Sequence, residues 1–405
     1  MKIWIINPYG TLPEEAWSAY RSTFIAEALA DSGHETTWFV SDFEHRSKTF
    51  RSGRRIRKYR EGYTVVLVPS TAYIGHVSLA RIRYERNYAK NLLNIIKKSS
   101  EVPDIIVHGE PALMFSDITG GLARKLGAKL VVDIIDLWPE LFSIKFASIS
   151  GSVSNLLFSA CYAKRARFLA RADALMAVTP DYLNIGIRHG SKVPSWVTYW
   201  GCDLKALRSP ISLPTTLRLP TKREDEIWCV YAGTLGINYD IHTILEVARR
   251  SKREHLPIKF IIAGEGPLTS IVSNEADCGK NSNLIYVGRI SQRQLVSVYG
   301  MADIALCSYV GLSTVSMPIK VYDYLAAGLP IVNSLEREIG RLIKEESIGW
   351  QYEPESIESL FGVIKSAAKE RSKMIEMRNR CLILAKQFDT SIQYGQLVKK
   401  LEGLK

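Results

Sequence analysis

The sequence lacks the long apolar runs, paired cysteines and metal-binding spacings that mark several large classes of protein. In its 405 residues no run approaches 18 uncharged apolar residues, so no transmembrane helix is predicted. The six cysteines are scattered, without a CxxC pair, which argues against a disulfide framework or a zinc site and predicts reduced thiols. No DxD pair stands at a predicted strand end to hold a divalent cation.

No signal peptide is predicted at the start of the sequence. The opening MKIWIINPYG is short and is broken at Asn7-Pro8, so it predicts a first β-strand. Together with the reduced thiols, this pattern leads us to expect a cytoplasmic protein.

Acidic residues are fewer than basic ones, and the excess of basic residues is larger in the N-terminal half than in the C-terminal half. The net charge is +12; residues 1–200 hold 26 Lys and Arg against 18 Asp and Glu, whereas residues 201–405 hold 27 against 23. Such an excess predicts anionic partners. The basic clusters fall at 46–60 and in a predicted helix over 79–98, and the candidate contact residues are Arg51, Arg54, Arg55, Arg57, Arg83 and Arg86.

These clusters allow two interpretations. One is a solvated basic face; the other is contact with anionic lipid headgroups, which predicts a peripheral location on the inner face of the plasma membrane. We expect no nucleic-acid partner, because no helix-turn-helix, RNP or KH pattern accompanies the charge. The sequence does not indicate an oligomeric state.

What the chain does contain is a β/α rhythm in two successive halves. Predicted strands end in loops with glycine at Gly10, Gly233, Gly264 and Gly288, the edge at which open α/β sheets bind ligands. None of these loops has the GxGxxG spacing of a dinucleotide site. The expected division is an N-terminal domain over 1–205, a linker over 206–226, a second domain over 227–388 and a C-terminal helix over 389–405.

One stretch in the second half, STVSMPIKVYDYLAAGLPIV, predicts a loop, a helix, a turn and a strand. Ser316 or Met317 can cap the helix, and Pro318 suits its first turn. A helix N-terminus offers free N–H groups and partial positive charge, so Lys320 could hold a phosphate and Asp323 ribose hydroxyls. The alternative is an ordinary surface helix between two strands.

The order of five segments resembles a known family. YAGTLG, IIAGEGP, YVGRIS, MADIALCS and SMPIKVYDYLAAGLPIV are similar to the nucleotide-sugar-binding half of retaining family 4 glycosyltransferases of the GT-B fold. In the N-terminal half, AEALADSGHE and DLWPE resemble the bacterial branch that builds lipopolysaccharide, capsule and exopolysaccharide. The resemblance covers nearly the whole chain.

The resemblance implies an α/β protein with two facing Rossmann-like domains, a central cleft and a C-terminal helix that crosses back to the N-terminal domain. The N-terminal domain would bind the acceptor and the second domain the donor. Catalytic roles are implied for Asp136, Lys320 and Arg289. Donor-binding roles are implied for Gly10, Gly233, Thr234, Leu235, Gly236, Gly264, Glu265, Gly266, Ser316, Met317, Pro318, Ile319, Lys320 and Asp323.

The sequence departs from the family pattern at two places. Val315 stands where the family has the first glutamate of E-x7-E, and Asp323 replaces the second. Relatives have a basic residue soon after the first glycine loop, but this chain has Ile237-Asn238-Tyr239-Asp240. The charge on a phosphate would therefore be met by Lys320, Arg289 and the helix N-terminus.

The function implied is transfer of a hexose from a nucleotide-diphosphate sugar, with a UDP-sugar favoured, to a lipid-linked or oligosaccharide acceptor in cell-surface polysaccharide biosynthesis. Retention of configuration, independence of metals and the absence of a cofactor are expected. Two alternatives stay open: a GT-B nucleotide-sugar epimerase or hydrolase, and a non-catalytic basic binding protein with a degenerate donor site.

Overall fold

A computed structural model describes residues 1–15, 20–75, 78–112, 114–140, 151–188, 192–208, 219–277 and 283–405. The chain divides into two compact units, Met1–Trp200 with Ser391–Lys405, and Gly201–Thr390. Much of the predicted linker lies outside the described residues, as does Cys278.

The first unit is built on a mostly parallel sheet. Its strands are β1 (Lys2–Ile6), β2 (Glu35–Ser41), β3 (Phe43–Glu44), β4 (Thr49–Phe50), β5 (Ile56–Arg60), β6 (Tyr63–Val68), β7 (Ile105–Glu110), β8 (Lys129–Ile134), β9 (Ala174–Ala177) and β10 (Ser195–Val197). Eight of them follow the order β10-β9-β8-β7-β1-β2-β6-β5, in which only β5 is antiparallel to its neighbour. The described helices of this unit are Arg21–Asp31, Leu79–Ile96, Ser116–Leu126, Gly151–Leu169 and Pro180–Arg188, with Thr390–Glu402 from the C-terminus.

The second unit has an all-parallel sheet. Its strands are β11 (Ile227–Ala232), β12 (Ile258–Ala263), β13 (Leu284–Gly288), β14 (Ile304–Cys307), β15 (Ile331–Asn333) and β16 (Gly349–Gln351), in the order β13-β12-β11-β14-β15-β16. The described helices are Leu204–Arg208, Ile241–Arg253, Thr269–Asp277, Gln292–Met301, Ile319–Ala326, Glu338–Glu346, Ile357–Ala367 and Arg371–Ala385, and a 3-10 turn spans Lys386–Phe388.

The order of the strands in each sheet indicates where a ligand is expected to bind. In each sheet the order reverses once, between β1 and β7 in the first unit and between β11 and β14 in the second. In open α/β sheets the crevice lies beyond the carboxyl ends of the strands at such a reversal. The loops after these four strands are therefore the ones to examine for function.

The predicted α/β fold with two Rossmann-like sheets is confirmed, but several local expectations are wrong. The helix expected to have Pro318 in its first turn begins at Ile319, with Pro318 as its N-cap residue. The edge strand Ile56–Arg60 was not predicted, because its five residues include three cations and show little apolar alternation. The helix Arg371–Ala385 was also missed.

A buried ion pair holds the first unit together. The Arg21 guanidinium donates to both carboxylate oxygens of Asp133 in β8, at 2.7 and 2.9 Å, and to the Thr198 carbonyl at 2.7 Å. It also lies 5.9 Å from the ring centroid of Tyr394 in the C-terminal helix. One side chain thus connects the first helix, the centre of the sheet, the segment after β10 and the last helix.

We expect Arg21→Met to lower the free energy of unfolding by about 3–5 kcal/mol, because it leaves Asp133 buried and unpaired. The matched control is Lys129→Met, which removes a half-exposed ion pair with Asp173 from the same strand and should cost about 1 kcal/mol or less. Urea unfolding followed by circular dichroism measures both. Equal, small effects would show that the buried pair does not carry this connection.

Candidate functional site

Two glycine loops meet at the carboxyl edge of the second sheet. The Gly233 amide donates to the Ala263 carbonyl at 2.9 Å, and the Gly264 amide to the Gly288 carbonyl at 2.8 Å. Gly264 has φ +143°, and a Cβ there would lie 1.8 Å from the Gly233 carbonyl oxygen. Only glycine fits this crossing, so the ends of β11, β12 and β13 are held in close register.

The next residues of the two loops bind each other. The Leu235 amide donates to the Glu265 carbonyl at 3.0 Å, and its carbonyl accepts from Leu268 at 2.9 Å. The Leu235 side chain is buried in the core. We therefore no longer expect Leu235 to bind the donor directly; it anchors the loop.

The other predicted loop residues lie at the same edge. The Thr234 carbonyl accepts from the Tyr231 hydroxyl at 2.8 Å, and the Gly266 amide donates to the Thr269 hydroxyl at 2.9 Å. Gly236 accepts from the Tyr239 amide at 3.0 Å. These bonds fix the path of the backbone and leave the Glu265 side chain exposed.

The helix Ile319–Ala326 starts at this edge, after β14. Pro318 is its N-cap residue, with φ −65° and ψ 139°, and no side chain caps the first turn. The predicted caps are wrong: Ser316 instead accepts from the Glu338 amide at 3.4 Å, and Met317 is buried. The N-terminal N–H groups of the helix are thus not taken by a side-chain cap, and they carry partial positive charge.

Lys320, in the first turn of this helix, points its ammonium into a cage of three tyrosine rings. The Nζ atom lies 4.0, 4.8 and 5.3 Å from the ring centroids of Tyr231, Tyr239 and Tyr309. It is buried and makes no hydrogen bond or ion pair with any residue that the structure describes. Cation–π attraction stabilises such an ammonium but fills none of its three N–H donors.

Burial lowers the pKa of Lys320 to about 8. The ammonium also lies directly against the first glycine loop, since a Cβ on Gly233 would be 2.8 Å from Nζ. A buried cation without a counter-ion among the described residues, beside glycine backbone and a helix N-terminus, has the features that suit an anion.

Asp323 is one turn further along the helix, and it does not pair with Lys320. Burial raises its pKa to about 7, and its charge acts on the Tyr299 hydroxyl. That hydroxyl is buried and has no hydrogen-bond partner among the described residues. The Asp323 carboxyl group, with a pKa of about 7, therefore changes charge near neutral pH.

Arg289 is exposed and follows β13, the edge strand, which is separated from β14 by β12 and β11. At a strand spacing of about 4.8 Å, its backbone lies roughly 14 Å across the sheet from the end of β14. Its contact with the base or the phosphates of a donor stays a prediction.

The tyrosine cage was missed by the sequence reasoning. A signal was present for two of them, because Tyr231 in YAG and Tyr309 in SYV lie within two residues of a strand end; Tyr239 in NYD lies further along the loop after β11. The segment that lacks a cation, 237–240, contributes Tyr239 instead. Its last residue, Asp240, accepts from the Tyr352 hydroxyl at 3.1 Å and has a structural role.

In the first unit, Asp136 lies just beyond the end of β8. Its carboxylate accepts from the Leu137 amide at 2.9 Å, and burial raises its pKa. Arg81, a nearby cation, lowers it in part. Gly10, also assigned to the donor, is in this unit; it is buried, at φ +127°, and its carbonyl accepts from Arg51 at 2.6 Å.

A second carboxyl at this edge was not predicted. Glu110 ends β7, and burial raises its pKa to about 7. One of its oxygens lies 3.8 Å from His108 Nε2, too far for a hydrogen bond. Burial lowers the pKa of His108 to about 3, so this histidine is neutral.

Two members of the predicted basic patch are not free surface charges. Arg51 is almost fully buried and pairs with Glu15 at 2.6 Å, and Arg57 pairs with Glu14. The chain's own carboxylates thus neutralise both. Arg54, Arg55, Arg83 and Arg86 are exposed.

Residues 217–387 match the family model of glycosyl transferases group 1. The matched segment contains both glycine loops and the Lys320 cage. A stretch of 125 residues is 30% identical to chitobiosyldiphosphodolichol beta-mannosyltransferase of Arthroderma benhamiae, and it spans 29% of this chain and 28% of that protein.

Solved structures match over the whole chain. Sucrose-phosphate synthase from Thermosynechococcus elongatus superposes with a TM-score of 0.75 at 15% identity, covering 100% of both chains. HepE from Anabaena, in complex with UDP, gives a TM-score of 0.69 at 13% identity, again with 100% of both chains covered. At these identities the similarity establishes the fold alone, which is GT-B.

Proposed function

We propose that the protein is a glycosyltransferase that moves a hexose from a nucleotide-diphosphate sugar to a lipid-linked or oligosaccharide acceptor in cell-surface polysaccharide biosynthesis. The observation that carries the proposal is the buried, unpartnered ammonium of Lys320 between a glycine loop and a helix N-terminus. A diphosphate would supply an anion for the ammonium and acceptors for the N–H groups at the helix N-terminus, and the glycine loop would let it come close to the backbone. UDP is favoured as the leaving nucleotide, and the fold neighbour HepE was solved with UDP.

The chemistry follows from charge. When the bond between sugar and diphosphate breaks, negative charge develops on the leaving oxygen, and a fixed cation in a water-poor site stabilises that charge most. Lys320 supplies the cation, and the first turn of the helix Ile319–Ala326 supplies N–H donors. We propose that this charge is sufficient without a metal and that no cofactor takes part.

The remaining donor contacts follow the sheet edge. Asp323, one turn from Lys320, would accept hydrogen bonds from ribose hydroxyls as the carboxylate. Gly233 and Gly264 allow backbone to approach the diphosphate, and Arg289 lies on the side of β13, where the base would bind.

The acceptor would bind to the first unit. Asp136 would orient its hydroxyl or support positive charge on the sugar ring, and transfer would proceed with retention. A lipid-linked acceptor is consistent with the name of the relative from Arthroderma benhamiae, chitobiosyldiphosphodolichol beta-mannosyltransferase.

We also propose a peripheral location at the inner face of the plasma membrane. None of the described helices is long and apolar enough to cross a bilayer. The exposed cations Arg54, Arg55, Arg83 and Arg86 would contact anionic headgroups.

The affinity for UDP-glucose should depend on pH as a bell with its maximum between about pH 7 and 8. As pH rises through the pKa of Lys320, about 8, the ammonium loses its proton and binding weakens. As pH falls through the pKa of Asp323, about 7, the carboxylate becomes protonated and loses its ribose contacts. Calorimetric titration across pH 6–10 measures the curve.

Substitutions test which residue causes the acid limb and which causes the alkaline limb of the curve of affinity against pH. Lys320→Met should weaken binding about tenfold or more and flatten the alkaline limb, without lowering the melting temperature, because it removes an unpartnered buried charge. Asp323→Asn should flatten the acid limb, and Lys344→Ala, an exposed lysine, should change nothing. A pH-independent affinity, or steady breakdown or epimerisation of UDP-glucose without acceptor, would contradict the proposal.

Vesicles that contain phosphatidylserine should retain the protein at low salt and release it at high salt. Replacing Arg54, Arg55, Arg83 and Arg86 by alanine should abolish most retention, at about 1 kcal/mol per residue. The control, Lys344→Ala with Lys369→Ala, should float like the unaltered protein. Failure to float at low salt would refute the location.

A further inference from the structure

A second buried ammonium lies in the first unit, and neither the fold nor the donor site accounts for it. The Nζ atom of Lys48 is buried and makes no hydrogen bond or ion pair with the described residues. It lies 4.3 Å from the ring centroid of Tyr73. Lys48 also has φ +60°, a backbone conformation that is uncommon outside glycine. Its turn therefore costs some conformational free energy.

A second cation shares the same tyrosine. The guanidinium carbon of Arg81 lies 5.8 Å from the Tyr73 centroid and 5.1 Å from that of Tyr9. Burial lowers the pKa of Lys48, and the positive charge of Arg81 lowers it further, while the charge of Glu44 raises it in part. Two like charges around one ring repel each other, and an anion between them would relieve that repulsion.

The nearby carboxylates are already engaged. One oxygen of Glu44 accepts the backbone amides of Arg46 and Ser47. Glu85 accepts from the Tyr9 hydroxyl at 2.9 Å and from the Met114 amide at 3.2 Å, and lies 3.7 Å from Arg81. Neither carboxylate lies within ion-pair distance of Lys48.

The cation pair is placed beside the predicted acceptor site. The Arg81 guanidinium stacks on Trp138, 3.8 Å from the ring centroid, and its charge acts on Asp136. Lys48 follows β2 and Tyr73 follows β6, so both lie in loops at the carboxyl edge of the first sheet. This is the edge at which open α/β sheets bind ligands.

We propose that Lys48 and Arg81, which both lie close to the Tyr73 ring, form an anion subsite for a phosphate or diphosphate group carried by the acceptor. Lys48 supplies three unfilled N–H donors on a flexible chain, and Arg81 a fixed planar cation. The subsite extends the proposed function. The identification of its ligand as the acceptor substrate rests on that function. It narrows the acceptors to those that bear a phosphate group near the hydroxyl to be glycosylated.

The test uses inorganic pyrophosphate as the probe in the Lys320→Met background, which removes the donor cation. Calorimetry on the full chain should show binding at one site. Adding Lys48→Met should raise the Kd about tenfold or more, the value of one charge-assisted hydrogen bond, without lowering the melting temperature. Adding Lys58→Met, an exposed lysine of β5, should leave the Kd unchanged.

No binding of pyrophosphate in the Lys320→Met background, or binding that is insensitive to Lys48→Met, would overturn the subsite. UDP-glucose binding reports separately on the proposed function, because Lys48→Met leaves the donor site intact.

A membrane headgroup is the other source of phosphate, and vesicle flotation separates the two. Because Lys48 Nζ is buried, Lys48→Met should float like the unaltered protein. A loss of flotation as large as that caused by removing Arg54 and Arg55 would assign Lys48 to the lipid surface and overturn the acceptor subsite.

Discussion

A positive charge buried without a negative partner is the feature on which the candidate donor site depends. Lys320 is held by three tyrosine rings, which stabilise its charge while leaving its N–H donors unfilled. A carboxylate in their place would neutralise the ammonium and compete with the diphosphate. The cage therefore keeps a cation ready for an anion, at the cost of a pKa lowered to about 8.

Parallel sheets make this arrangement possible. Their carboxyl ends meet at one edge, so residues far apart in sequence, such as Tyr231, Tyr309 and Lys320, come together from β11, β14 and the following helix. Gly264, which crosses the Gly233 carbonyl too closely for any side chain, sets the register of this edge. The first unit has a similar arrangement, in which the Lys48 ammonium lies over the Tyr73 ring at the carboxyl edge of the first sheet. Both sites hold a lysine on an aromatic face rather than beside a carboxylate.

The α/β rhythm, the glycine loops and the helix with Lys320 could be predicted from the sequence, because each depends on local spacing. Features set by tertiary contacts could not. Arg51 looked like a surface cation, but Glu15 and the Gly10 carbonyl bind it. Leu235 looked like a loop residue, but it is part of the core. The order of the strands separates Arg289 from Lys320, and no local pattern carries that order.

Some misses had visible signals. The helix Arg371–Ala385 buries Met374, Met377, Cys381 and Leu384, whose spacing of three and four residues is helical. Tyr231 and Tyr309 of the cage stand near strand ends in the sequence, and Tyr239 lies in the loop after β11. Their role emerges only when the sheet places them around one ammonium.

The most direct test of the account is a crystal structure of the protein with UDP-glucose. The account predicts a diphosphate oxygen about 2.7–3.2 Å from Lys320 Nζ, with the helix N-terminus at Ile319 facing the same group. A nucleotide bound elsewhere, with the Lys320 ammonium still enclosed by its tyrosines, would contradict it.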